Sequence, residues 1–179
     1  MTEYRSDGLF EISSQGLADR IFCRREIKRL YAYWDERRQG RAFAARRDID
    51  PVDFSYALGS VSLIDVHFDP LVFHYRIAAS TIVKQFNFEA TGKTTADLPG
   101  SWIKEKLEVI YKRVMQDATP QGEVGNLTYA GAAWRHEGMV LPMSSDGRNL
   151  NMLLACRFVD RTDRSCPPTE DLTPIIAQL

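Results

Sequence analysis

The sequence predicts an α+β protein, a five-stranded antiparallel sheet with helices on one face, plus an N-terminal helix. Three observations predict it. Ile27, Leu30, Tyr31 and Trp34 recur at i, i+3, i+4 and i+7, the spacing of one apolar stripe on a helix. After Val61 the period falls to two, with Leu71, Phe73, Tyr75 and Ile77 alternating with Val72, His74, Arg76 and Ala78. The later segments then run hairpin, long helix, three strands, an order that suits one antiparallel sheet crossed by a helix.

Taken in chain order, residues 1–16 lack sustained periodicity and read as a flexible leader. Residues 17–59 form an N-terminal helical segment: one helix over 17–38 stopped by Gly40, then a short helix opened by Asp50-Pro51. The Asp50 side chain can accept from free N–H groups, Pro51 suits the first helical position, and Asp53 complements the positive end of the dipole. Residues 60–160 form the core domain. Its hairpin, 61–68 and 71–77, turns at Asp69-Pro70, and one helical turn follows near 81–86. A long helix spans 101–117, with Ser101 as the expected cap and Ile103, Leu107, Ile110, Tyr111 and Val114 on its buried stripe. Strands near 123–129, 134–143 and 149–159 are separated by Gly131 and by Ser145-Asp146-Gly147. Residues 161–179, with Pro167-Pro168 and Pro174, read as a surface tail.

Composition narrows the class. At 179 residues and 44% hydrophobic content the chain can bury one core, which implies a single domain. No run approaches the roughly 18 to 20 apolar residues that span a bilayer, and residues 1–10 lack the pattern of a signal peptide, so a cytoplasmic location is expected. Cys23, Cys156 and Cys166 match neither a disulfide framework nor a zinc site and are expected to be reduced thiols. Between Arg20 and Arg47 ten basic residues stand against three acidic ones in a chain of net charge −1. The simpler reading is a solvated helix face whose arginines pair with the acidic body. No second helix follows at helix-turn-helix spacing, so a nucleic-acid partner is not expected.

Residue patterns for catalysis are weak. There is no Gly-x-Ser-x-Gly elbow. His67, His74 and His136 lie on predicted strands, where His74 and His136 could be cross-strand neighbours, and no third metal ligand is nominated. Arg25 to Arg29 and Arg37 to Arg41 have the first spacing of a cyclic-dinucleotide motif, but Gly59 comes one residue too late after Asp53-Phe54-Ser55.

One stretch is more specific. Tyr33-Trp34-Asp35, Arg38, Gly40-Arg41, Arg46, Asp48-Ile49-Asp50-Pro51-Val52-Asp53, then Leu63-Ile64-Asp65 and Leu141-Pro142-Met143-Ser144, resembles the bacterial single-domain PAS proteins formerly catalogued as a domain of unknown function. The resemblance covers about residues 27–159. It implies a PAS-like sheet crossed by the long helix, and a non-enzymatic sensory or regulatory role. A signalling protein partner or a homodimer is implied, with a small apolar ligand as a candidate. Haem-holding PAS domains use a His on the long helix, and light-sensing ones a Cys before it. Residues 101–117 contain no His and residues 85–98 no Cys, so histidine-ligated haem and covalent flavin are not expected and the cofactor is unassigned. A ligand would lie between the long helix and the sheet, bordered by Phe73, Tyr75, Phe86, Ile103, Leu107, Ile110, Trp134 and Met152. The stripe Ile27, Leu30, Tyr31 and Trp34 is the candidate interface. A protein-only adaptor with a filled core, and an enzyme on a similar helix-and-sheet fold, are the alternatives.

Overall fold

In the computed structural model, which describes residues 3–129, 132–161 and 166, one antiparallel sheet runs through the molecule and is covered on both faces. Its strands are β1 (Glu3–Glu11), β2 (Ala44–Ala45), β3 (Val61–His67), β4 (Val72–Ile77), β5 (Gln121–Tyr129), β6 (Ala132–Ser144) and β7 (Met152–Arg161). The helices are α1 (Gln15–Ile21), α2 (Arg25–Arg38), α3 (Ser80–Phe86) and α4 (Ser101–Asp117). Strand order is β1-β5-β6-β7-β3-β4, with β2 pairing parallel to the end of β6. The α+β antiparallel class and the five expected strands are present, and β1 and β2 bring the described strands to seven.

The side-chain alternation of the central strands assigns the two faces. Val61, Leu63, Met139, Leu141, Met143, Met152, Leu154 and Cys156 pack with α1 and α2. Ile64, Val66, Val140, Leu153 and Ala155 pack with Ile110, Tyr111 and Val114 of α4. The N-terminal helices therefore seal the face opposite α4. This explains why residues 138–143 of β6 and 152–156 of β7 read as continuous apolar runs, since a segment buried on both sides has no solvent-facing position to make polar.

Four expectations need correction. The flexible leader is instead a strand, paired along β5 and held at its inner end by buried Phe10 and Ile12. The helix expected over 17–38 is two helices. Phe22 and Arg24 are extended, because the buried Glu137 carboxylate on β6 accepts the backbone N–H groups of Cys23 (2.9 Å) and Arg24 (2.9 Å). Arg135, paired with Glu137 at 2.7 Å, donates to the carbonyl of Ile21 at the end of α1. The cap of α4 is Gly100, at φ +85°, and Ser101 is the first helical residue. Finally, Cys23 and Cys166 form a disulfide (Cα–Cα 5.7 Å) instead of being free thiols, because the fold brings together cysteines 143 residues apart; Cys156 is free and buried. The turn at Gly131 and the tail, apart from Arg161 and Cys166, lie outside the described residues.

The stripe Ile27, Leu30, Tyr31 and Trp34 was the candidate interface, and the structure places all four inside the chain's own core. A buried stripe has no surface left for a partner. Trp34 Nε1 donates to the carbonyl of Pro142 at 2.9 Å, and Tyr31 packs against it at 5.9 Å between ring centroids. Three arginines of the basic segment pair as expected with acidic residues beyond it, Arg24 with Asp160, Arg37 with Asp53 and Arg41 with Asp48, while Arg38 pairs with Asp35 on its own helix. Asp50 caps the 3-10 segment Pro51–Ser60 by accepting from Val52 N at 3.0 Å, while its own N–H donates to Tyr33 Oη at 2.8 Å.

Two substitutions test this. Trp34→Ala should lower stability by about 3–5 kcal/mol, through the lost burial and an orphaned Pro142 carbonyl, measured by urea denaturation. Asp50→Ala should lower it by about 0.5–2 kcal/mol by removing the cap, and an unchanged midpoint would show that the cap contributes nothing.

Candidate functional site

α4 crosses the sheet over β5, β6 and β7, and one row of residues lies beneath it. Glu123 on β5 pairs with Gly138 on β6, which pairs with Arg157 on β7. Ser60 flanks the row, one position before Val61, which pairs with Cys156. Gly138 has no side chain, so the centre of the row is empty. A cavity of about 40 Å³ occupies that place, room for about one or two waters. Ile103, Leu107, Ile110 and Tyr111 of α4 roof it, with Ile82 of α3, Val140 and Ala155 as further apolar wall. A Cβ built on Gly138 would meet nothing nearer than the Cys156 carbonyl at 3.6 Å.

One end of this cavity is charged. Glu123 is almost wholly buried and pairs with Lys106 of α4, with His136 Nε2 at 3.2 Å and with Arg157 at 2.8 Å. Burial opposes its ionisation, but the hydrogen bond from His136 and the charges of Arg157 and Lys106 outweigh that and hold the carboxyl far below its usual range. Burial lowers His136, so the imidazole is neutral at pH 7 and donates from Nε2. Burial likewise brings Lys106 down to about 8, with Glu123 opposing the fall. Tyr111 of the roof shares a buried hydroxyl contact of 3.1 Å with Tyr75 behind it, and burial pushes Tyr75 up to about 12. Burial also pushes the Cys156 thiol up to about 12, which leaves it protonated and unreactive.

Of the eight residues expected to border a ligand, Ile103, Leu107 and Ile110 line the cavity. Phe73 and Tyr75 lie in the same α4-side core behind Tyr111, Phe73 at 5.2 Å between ring centroids. Phe86 ends α3, and its side chain lies outside the described residues. Two placements are corrections. Met152 points into the core beneath α1 and α2, because neighbouring residues of β7 alternate between faces. Trp134 pairs with Leu127 and Arg161, four residues along β6 from Gly138, and does not border the cavity. The cavity itself is mostly apolar, with Glu123 and Arg157 as its charged lining residues; Lys106 and His136 reach Glu123 from outside the lining. Lys106 was open to detection, since it falls three residues after Ile103 on the apolar stripe; Glu123 and Arg157 are brought together only by strand register.

His74 and His136 are not neighbours, because β7 and β3 lie between β4 and β6; His74 instead meets His67 at 6.0 Å between ring centroids. A wider groove of about 580 Å³ opens on the other face, lined by Arg20, Arg24, Arg25, Lys28, Arg135 and Glu137. There Arg135 and Glu137 hold the break between α1 and α2. Among the described residues no three His, Cys, Asp or Glu side chains are grouped to hold a metal, and no helix is long and apolar enough to cross a membrane.

Compared with known proteins, residues 24–157 match the family model described as PAS domain. No curated protein and no solved structure matches the chain.

The buried cluster sets an acid dependence. Glu123 has a folded-state value far below its unfolded 4.5, so its contribution is full above pH 4.5 and is lost as pH falls below that. His136, depressed from 6.5, adds a loss that begins as pH drops below 6.5, since the unfolded imidazole takes the proton first. Glu123→Gln, which leaves Lys106 and Arg157 facing a neutral amide, should cost about 3–5 kcal/mol at pH 7 and flatten the stability curve below pH 4.5. Chemical denaturation across pH 3–8 reads both effects.

Proposed function

The chain belongs to the PAS domain family, and we propose that it is a non-enzymatic sensory module in which a small molecule seated between α4 and the sheet biases contacts with a signalling partner. PAS domains are generally sensory or interaction modules, and the cavity above Gly138 is the observation that carries the ligand reading. Ligand pockets combine an apolar wall with a few placed polar groups, and this cavity has both. Its roof is α4, so occupancy changes how that helix rests on β5 and β6, giving a ligand a route to the surface. A second reading rests on the narrowness of the space: a protein-only adaptor whose core is closed and whose partner contacts need no ligand. Partner contacts on either reading use a surface other than the buried α2 stripe.

Native mass spectrometry separates the two. On the sensory reading the purified chain retains a small adduct, and Leu107→Trp, which fills the cavity from its roof, removes the adduct while the circular dichroism spectrum is unchanged. A wild-type mass that matches the sequence, with partner capture equal in wild type and Leu107→Trp, would favour the adaptor.

A further inference from the structure

We infer that Cys23 and Cys166 are a reversible thiol–disulfide pair, opened by a small thiol that enters the groove beside the break between α1 and α2, with Cys166 the sulfur attacked and Cys23 the sulfur that leaves. The inference is independent of any guest under α4. Both cysteines are half-buried and line the groove of about 580 Å³, so a reductant reaches the bond without unfolding the chain. A structural staple is expected where the core is too small to hold the fold. Here the break is already held without it: Ile21 and Phe22 are buried, Glu137 accepts the N–H groups of Cys23 and Arg24, and Arg24 ties the end of β7 through Asp160. Cys156 is buried and takes no part.

The charge around Cys23 sets the direction of the exchange. Six cations line the groove, Arg20, Arg24, Arg25, Lys28, Arg135 and Arg161, against four carboxylates, Asp19, Glu26, Glu137 and Asp160. Arg24 pairs with Asp160 and Glu26, and Arg135 with Glu137, while Arg20, Arg25 and Lys28 hold no ion pair among the described residues. The 14-residue helix α2 begins at Arg25, two residues after Cys23, and the positive end of its dipole adds to the excess. A thiolate on Cys23 is therefore stabilised, and a stabilised thiolate leaves faster. The incoming thiolate attacks Cys166 Sγ, the S–S bond breaks with its electron pair going to Cys23 Sγ, and a mixed disulfide joins Cys166 to the reductant. A second thiol attacks the reductant's sulfur in that mixed disulfide and releases Cys166. Two reductant thiols become one disulfide, the protein gains two electrons, and the two protons shed go to the cysteines, or to water where Cys23 stays ionised. Closed, the pair fixes Cys166 at the groove; open, Cys166 is joined covalently to the body only through the backbone from Arg161.

Incubating the purified full chain in glutathione redox buffers, trapping thiols with iodoacetamide and reading them by intact mass and peptide mapping, tests this. Excess reduced glutathione should free both thiols together with the circular dichroism spectrum unchanged, and oxidised glutathione should close the bond again; structural disulfides resist the same reagent. Cys156 should stay unlabelled throughout. In Cys166→Ser, the pH midpoint of Cys23 alkylation should lie about one unit below the roughly 8.5 of a free cysteine, and adding Arg25→Gln and Lys28→Gln should raise it. A bond that stays closed in excess glutathione, or opens only as the spectrum is lost, would make the disulfide a structural staple and overturn the inference. So would a Cys166→Ser chain that does not fold. Cysteines that never pair, even in oxidised glutathione, overturn it as well. A Cys23 midpoint at or above about 8.5, or one unmoved by the two glutamine substitutions, would overturn the choice of Cys23 as the leaving sulfur.

Discussion

The fold depends on how the end of β6 is closed. β5 begins at Gln121, opposite Val140, so the last residues of β6 have no strand on that side to receive their carbonyl groups. An open edge inside a core would leave backbone groups unsatisfied, at roughly 1–3 kcal/mol each. Two devices fill it: Ala44 and Ala45 pair parallel to Met143 and Ser144, and the Trp34 indole donates to Pro142. This is why Tyr33-Trp34, the Asp48 to Asp53 run and Leu141 to Ser144 travel together as one sequence signature. Tyr33 binds the backbone of Asp50, Arg37 pairs with Asp53 and Arg41 with Asp48. Together they hold the 44–60 segment on α2, so that β2 reaches β6 and the 3-10 segment delivers the chain into β3.

With that edge closed, β6 can present different chemistry on its two faces. Arg135 and Glu137 turn toward α1 and α2, where their charges serve backbone groups: the Ile21 carbonyl and the N–H groups of Cys23 and Arg24. His136 and Gly138 turn toward α4, where one donates to Glu123 and the other leaves space. Buried ion pairs are poor sources of net stability, because desolvation offsets most of their attraction. What they contribute here is position. The Arg135–Glu137 pair fixes where one helix ends and the next begins, and the Glu123 cluster fixes Lys106, hence the front half of α4, over the sheet.

How much of this was legible in the sequence follows from which residues act locally. Asp50-Pro51, the hairpin turn at Asp69-Pro70 and the stripe of α4 are written in neighbouring residues, and the class and element order followed from them. Strand β1 was not legible, since residues 3–11 carry few alternating apolar positions and gain their partner from β5, more than a hundred residues on. Nor was the break between α1 and α2, where no Gly or Pro interrupts the helical pattern and the cause is a carboxylate on a distant strand. The covering of both faces left a trace that period-two reasoning passes over: the run Met152 to Cys156 has no polar residue, which a half-exposed strand would need. The site failed in the same way. Its apolar half, Ile103, Leu107 and Ile110, lies on one helix, while its charged half is assembled by register across three strands and one helix.

The cavity also bears on why Gly138 stands in the middle of a buried strand. Glycine there costs about 0.5–1 kcal/mol in chain entropy relative to alanine. An unfilled space of 40 Å³ adds about 1 kcal/mol at the usual cost per unit of cavity volume. Alanine would recover part of both, because its Cβ would fit at ordinary contact distances of 3.6 Å and more. Backbone geometry does not require glycine either, as Gly138 is not among the residues of positive φ. Stability alone therefore argues against glycine at this position, and so does sheet propensity. The residue makes physical sense if the space is to be occupied, as the sensory reading requires.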